Sequence, residues 1–358
     1  MKYKRLLFII LTPISFLLTQ FAKNNISYAE FYSTRIYPIL AQSISFITGL
    51  VSFSLGEVIL IISVFLLMMY TFLTVMKIIK QKSLKFLKYY IINLTVIASL
   101  LYFFFVLFCG INYYRYEFTT YSGLEVKESS KQELIELCDS LINDANELRK
   151  KLNTDENGIA TLDDDNFYET SKRAQYSFNK VSNKYEVLKG NYPKPKRVLF
   201  SRAMSHMQIT GVFFPFTFES NVNVDIPSYQ IPATMCHELV HIRGFMREDE
   251  ANFLSYLACE SSGYDDFFYS GTMLALTYSM NALYSEDYDA FVILHDKYSE
   301  DVKKDMKYTS NYWNQFETKI AEISHVVNDT YLKANNQTDG VKSYGRMVDL
   351  LLALQRTK

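Results

Sequence analysis

Two long stretches without a charge, residues 58–76 and 89–114, set the first constraint on this 358-residue chain. The second contains the run Leu100-Leu101-Tyr102-Phe103-Phe104-Phe105-Val106-Leu107-Phe108. About 20 apolar residues match the hydrocarbon thickness of a bilayer, so each stretch reads as a spanning helix. A third apolar stretch, residues 6–21, follows the basic start Lys2, Lys4, Arg5. A basic start with a short apolar run also describes a cleaved signal peptide. No clean small-x-small site precedes Lys23, which favours an uncleaved anchor. The expected spans are about 6–22, 57–77 and 89–112. Residues 36–56 also lack charge, but they carry Gln42 and several serines and would abut the next span with almost no loop. They are expected to form an interfacial or re-entrant helix, with a fourth span as the alternative.

The averages conceal this. A 49% hydrophobic content, a mean hydropathy of −0.03 and a net charge of −1 describe an ordinary soluble protein. Residues 1–115, however, hold 11 Lys and Arg against only Glu30 and Glu57, a balance of +9, and the remainder is −10. The apolar content excludes a disordered chain, and the neutral total gives no support for nucleic-acid binding. Five Lys lie in residues 77–88 and three basic residues at the start, against Lys23 and Arg35 in the 23–57 loop. The positive-inside rule then places the N-terminus and the 77–88 loop in the cytoplasm and everything after Tyr114 outside. The two uncharged spans offer no acid or base for coupling, which argues against a transporter or channel.

The back of the chain reads as mainly helical. Leu134, Ile135, Leu137, Leu141, Ile142 and Leu148 recur at helical spacing within 131–152. A further helix is expected from the acidic cluster at 163–165 to about 188, where Gly190 and Pro193 stop it. Residues 197–201 and 207–218 are rich in Val, Ile, Phe and Thr, as strands are. Pro215 cannot donate to a ladder, so the second should be an edge strand or a bulge. Helices are then expected at about 228–242, 248–262, 266–283, 286–296, within 300–334 and at 342–355. The four cysteines show no Cys-x-x-Cys pair, and Cys138, Cys236 and Cys259 read best as buried free thiols, with one disulfide among them as the alternative.

The residues that carry chemistry are Thr234-Met235-Cys236-His237-Glu238-Leu239-Val240-His241-Ile242-Arg243-Gly244. His237 and His241 are four apart, so on a helix both imidazoles leave one face and can hold one Zn²⁺. Glu238, next to the first ligand, can act as general base on a metal-activated water. Gly244 suits a left-handed cap that ends the helix. A tight turn would bring the start of the next helix, Glu248-Asp249-Glu250, back towards the metal face. Glu248 is the candidate third ligand and Glu250 the alternative; Asp249 points about 100° away from Glu248.

Other candidates are less specific. An extended peptide can pair with the exposed edge near Gly211, Phe213, Phe214 and Asn221, with its carbonyl over the metal. Tyr344 or Arg346, opening the last helix, can supply a donor for a tetrahedral oxyanion. His206, His295 and His325 lack metal-ligand spacing to one another and read as surface or packing residues.

The combination Gly211…Phe214-Pro215-Phe216-Thr217…Glu219…Asn221-Val222-Asn223, followed by His237-Glu238-Leu239-Val240-His241-x-x-Gly244-Phe245-x-Arg247-Glu248-Asp249-Glu250-Ala251-Asn252-Phe253, resembles domain of unknown function 3810, a family of bacterial membrane proteins. Ser343-Tyr344-Gly345-Arg346 and Val348-Asp349-Leu350-Leu351 fit its C-terminal pattern. That resemblance implies an N-terminal helical membrane part and brings no activity. More remotely, Glu248-x-x-Ala251-Asn252 is similar to the Glu-x-x-Ala-Asp element of CAAX-prenyl-protease-type membrane zinc peptidases. It implies Glu248 as the zinc ligand, with Asn252 in place of an Asp. The gap from His241 to Glu248 is much shorter than in those enzymes.

The sequence therefore leads to a mainly α chain. Residues 1–115 are expected to be a membrane domain. Residues 116–358 are expected to be an extracytoplasmic, mostly helical, zincin-like α+β domain with a small β-hairpin or sheet. The expected function is that of a membrane-anchored zinc metallopeptidase acting on a peptide or protein substrate. A non-catalytic membrane sensor or assembly protein with a structural or vestigial metal site is the rival.

Overall fold

The computed structural model describes residues 4–164, 166–337 and 346–357. The chain forms two units, Met1–Arg115 with Phe214–Glu219, and Tyr116–Phe213 with Ser220–Lys358.

Among the described residues, three helices of the first unit are long and apolar enough to cross a membrane: Arg5–Asn24, Leu55–Gln81 and Lys85–Phe108. Their large apolar side chains point outward uncovered, as at Phe65, Phe72 and Ile91. Outward apolar faces are what a lipid solvent requires. Polar contacts tie the helices together inside. Thr12 Oγ1 donates to Ser99 Oγ (2.8 Å), which donates to the Phe8 carbonyl (2.8 Å). Asn93 Nδ2 donates to the Tyr70 hydroxyl at 2.6 Å. The 36–56 stretch contributes the helix Tyr37–Thr48, which continues the helical backbone of Ile26–Phe31 and Tyr32–Ile36 and is not among the helices long and apolar enough to cross a membrane. Pro38 lies in its first turn, where a missing N–H costs nothing.

Phe214–Glu219 completes this unit. The Glu219 carboxylate accepts from the backbone N–H groups of Leu55 (3.2 Å) and Gly56 (2.7 Å), and Ser54 Oγ accepts from Glu57 N–H (3.0 Å). The orphan donors at the start of the helix Leu55–Gln81 are thus met by side chains. Gly56 has to be glycine, since a Cβ there would lie 2.7 Å from the Phe214 ring.

The second unit is mostly helical. The chain's strands are β1 (Lys196–Arg197), β2 (Gly211–Phe214) and β3 (Glu219–Val222), in the order β1-β3-β2 among the described residues, and all but Phe214 and Glu219 of them belong to this unit. β1 runs parallel to β3 with Lys196 opposite Asn221, which leaves β2 at an edge.

The small sheet is as the sequence reading expects, but the strands are shorter than 197–201 and 207–218. Residues 197–201 contribute only the two residues of β1, and the helix Ser201–His206 follows. Residues 207–218 are not one edge strand. Gln208 and Phe218 take positive φ values (54° and 50°), and Pro215 stands in the turn joining β2 to β3. A prolyl residue is cheaper in a turn than in a ladder.

Helix boundaries shift as well. The helix expected from 163 begins at Phe167, where Asn166 accepts from Tyr168 N–H. The 300–334 stretch divides into Glu300–Asn314 and Lys319–Ala334. The last helix is Met347–Gln355, and residues 342–345 lie outside the described residues.

The helices Lys131–Arg149, Ile231–His241, Glu248–Ser261 and Asp265–Glu286 supply most of the core. A buried polar network fastens its flank. Asp305 accepts from Arg149 Nε (2.6 Å), Ala160 N–H (2.9 Å) and the Tyr269 hydroxyl (2.7 Å). All four cysteines are buried and unbridged.

Candidate metal centre

The helix Ile231–His241 opens with Pro232 in its first turn and ends in a turn at Gly244, whose φ of 83° is the left-handed conformation glycine adopts without cost. Arg243 closes the helix end. Its guanidinium donates to the Leu239 carbonyl (2.6 Å) and the Leu188 carbonyl (3.0 Å). The chain then reverses into the helix Glu248–Ser261.

That reversal brings His237, His241 and Glu248 together. The two Nε2 atoms lie 3.0 Å apart. Glu248 Oε2 is 3.2 Å from His237 Nε2, and Oε1 is 3.7 Å from His241 Nε2. A tetrahedral zinc with bonds near 2.1 Å has ligand–ligand edges of about 3.4 Å. The three separations bracket that value, so the donor set fits zinc. Each Nδ1 has its own acceptor: Asn252 Oδ1 at 2.8 Å from His237 and the Phe245 carbonyl at 2.9 Å from His241. These acceptors put a proton on each Nδ1 and turn each Nε2 to the shared centre. Asn252 Nδ2 donates in turn to the Tyr278 hydroxyl at 3.3 Å.

Outer partners of this kind set metal affinity. Asn252→Ala is expected to weaken zinc binding about 10–100-fold. Competition with a chromophoric chelator measures it, and an unchanged affinity would contradict the role given to the amide.

Glu238 is buried on the same helix. Its carboxylate accepts from Phe213 N–H, and its backbone carbonyl accepts from Ser220 Oγ at 2.8 Å. Among the described residues Oε2 has no hydrogen-bond partner. Gly211 makes room for this carboxyl: a Cβ there would lie 2.5 Å from Oε1 and 2.8 Å from Cγ. β2 therefore packs its backbone directly on the motif helix, and only glycine allows that approach.

The remaining sequence candidates fall in several places. The Phe213 ring lies 6.4 Å from the His241 ring. Asn221 Nδ2 donates to the Val212 carbonyl at 3.4 Å and braces β3 against β2. Phe214 belongs to the first unit, against Gly56. Glu250, the alternative ligand, is not in the cluster: it accepts from Arg247 Nε (3.0 Å) and Phe118 N–H (2.5 Å). Arg346 donates to Asp249 at 2.9 Å, and Tyr344 lies outside the described residues.

The electrostatics follow from burial. Burial opposes charge on His237, but the hydrogen bond and charge of Glu248 outweigh it and hold the imidazole up to about 9. Burial pushes His241 down to about 4. Burial raises Glu248 too, but the two histidines outweigh it and hold its carboxyl below the usual range. Burial, with the charge of Glu248, pushes Glu238 up to about 8. At pH 7 the metal-free cluster therefore keeps a proton on His237 that a metal must displace. Zinc binding is expected to release at least about one proton per ion, and its affinity to rise with pH up to about 9. Calorimetry in buffers of different ionisation enthalpy reads the number. A value of zero would contradict the proton on His237.

No curated protein and no solved structure matches the chain. A family model does, over residues 32–352, most of the chain. With the apolar helices of one unit and the paired histidines of the other in view, the chain belongs to the family described as protein of unknown function (DUF3810).

Proposed function

We propose that this protein is a membrane-anchored zinc-dependent metallopeptidase. One observation carries the reading: a buried carboxyl, Glu238, with one oxygen unpartnered among the described residues, on the same helix as His237 and His241, which form with Glu248 of the next helix a cluster of tetrahedral dimensions. His237, His241 and Glu248 would hold the metal. Zinc bound there would supply Lewis-acid polarisation of a peptide carbonyl and of a water. Glu238 would accept a proton from the attacking water at Oε2 and pass it to the amine that leaves as the peptide C–N bond breaks. Phe213 N–H and Gly211 fix the carboxyl in place, and Asn252 and the Phe245 carbonyl orient the two imidazoles. The edge position of β2 suits an extended peptide lying alongside it. The Glu-x-x-Ala-Asn spacing from Glu248 to Asn252 supports the same ligand assignment.

The charge of the loops supports an extracytoplasmic second unit. An alkaline phosphatase fused after Thr357 should then be active, and one inserted in the 77–88 loop inactive; the reverse pattern would overturn this orientation. The function is tested with the full chain in detergent on a casein digest. Hydrolysis that phenanthroline stops and added zinc restores is the expected result. Zinc binding with no hydrolysis of any peptide pool would favour the non-catalytic sensor or assembly protein.

A further inference from the structure

The helix Lys319–Ala334 is attached to the second unit along one narrow side. Ala321 and Leu332 are buried, and His325 Nε2 meets Gln208 Oε1 at 2.8 Å. At 100° per residue these three positions fall within an arc of about 40°. On the opposite side Ile320, Ile323, Val326, Val327 and Tyr331 fill an arc of about 140°, and they remain 38–66% exposed. Thr330, inside that arc, turns its hydroxyl back to the Val326 carbonyl (2.7 Å). Apolar side chains scattered singly are ordinary on a surface; five along one helix face form a continuous stripe and mark an interaction site.

The chemistry of the stripe and the rest of the chain agree on what covers it. Three helices of the same chain are long and apolar enough to cross a membrane, so a bilayer lies within tether reach of this helix in every molecule. Tethering turns a weak partition into an intramolecular event. The stripe is the convex side of one helix, which suits a fluid apolar layer and offers no groove to a peptide. Lys319 and Lys333 stand at its two ends, and Tyr331 beside the second. Long cationic side chains reach lipid phosphates while their stems stay among apolar groups, and tyrosine favours the same interfacial depth. We propose that the helix Lys319–Ala334 lies in the interfacial layer of a phospholipid bilayer, with Ile323 and Val327 turned towards the acyl chains. This surface is independent of the peptidase reading.

Spin-label accessibility tests it on the full chain in phosphatidylcholine nanodiscs. Ile323→Cys and Val327→Cys are labelled separately with a nitroxide. Glu300→Cys, at a position 85% exposed, is the aqueous control, and the unsubstituted chain reports any labelling of the buried native cysteines. At both stripe positions collisions with oxygen should exceed those with a water-soluble nickel chelate, and at the control the order should reverse. Nickel access at residues 323 and 327 would overturn the proposal. So would exclusion of both reagents, which would assign the stripe to protein, whether a second copy or another part of the chain.

Discussion

Glu238→Gln is expected to leave zinc bound and to lower peptide hydrolysis by at least about a hundredfold, the usual weight of a positioned general base. The substitution is nearly isosteric, so the side chain still fits beneath Gly211 and still accepts from Phe213 N–H. The capacity to take a proton at Oε2, the oxygen without a partner, is what disappears. The loss should fall on kcat rather than KM, because in the proposed mechanism the carboxylate acts on the water and not on the bound peptide. Full turnover with zinc retained would remove Glu238 from the mechanism.

Glu248→Ala should act on the metal itself. It removes a proposed direct donor and leaves two imidazoles facing each other across 3.0 Å. The loss of zinc affinity should exceed the 10–100-fold typical of outer partners. Glu250 cannot take over, because Arg247 and Phe118 N–H hold its carboxylate. Glu250→Gln is accordingly the internal comparison: it keeps an acceptor for Phe118 N–H and should leave zinc affinity unchanged. If instead Glu250→Gln releases zinc and Glu248→Ala does not, the ligand assignment is wrong.

The difference between these two glutamates shows how far the sequence could be read. The four-residue spacing of His237 and His241 places both rings on one helix face by geometry alone. Gly244 marks the turn, since few other residues accept its φ of 83°. Which glutamate turns inward depends on Phe118, 132 positions away in the chain, whose N–H captures Glu250. No local pattern carries that information. Gly211 is a similar case. The sequence suggested a strand for peptide pairing, whereas the reason for a glycine there is the Glu238 carboxyl pressed against it.

The fold divides along the same line. Uninterrupted apolar runs locate the spanning-length helices because lipid imposes length and composition together. Residues 207–218 resisted reading because Phe213-Phe214-Pro215-Phe216-Thr217-Phe218 is apolar and β-prone throughout. Alternation cannot place a turn in such a run. The turn is fixed by contacts distant in sequence: Glu219 capping the helix at Leu55 and Gly56, Thr48 Oγ1 donating to the Thr217 carbonyl (2.9 Å), and Phe218 packed between Tyr37 and Phe108.

The central claim is that His237, His241 and Glu248 bind a metal ion, and metal analysis of the purified full chain tests it most directly. Elemental analysis of protein prepared without chelator should return close to one zinc per chain, and His237→Ala, equally folded by circular dichroism, should return close to none. A chain without stoichiometric metal, or a His237→Ala variant that keeps its zinc, would contradict the account.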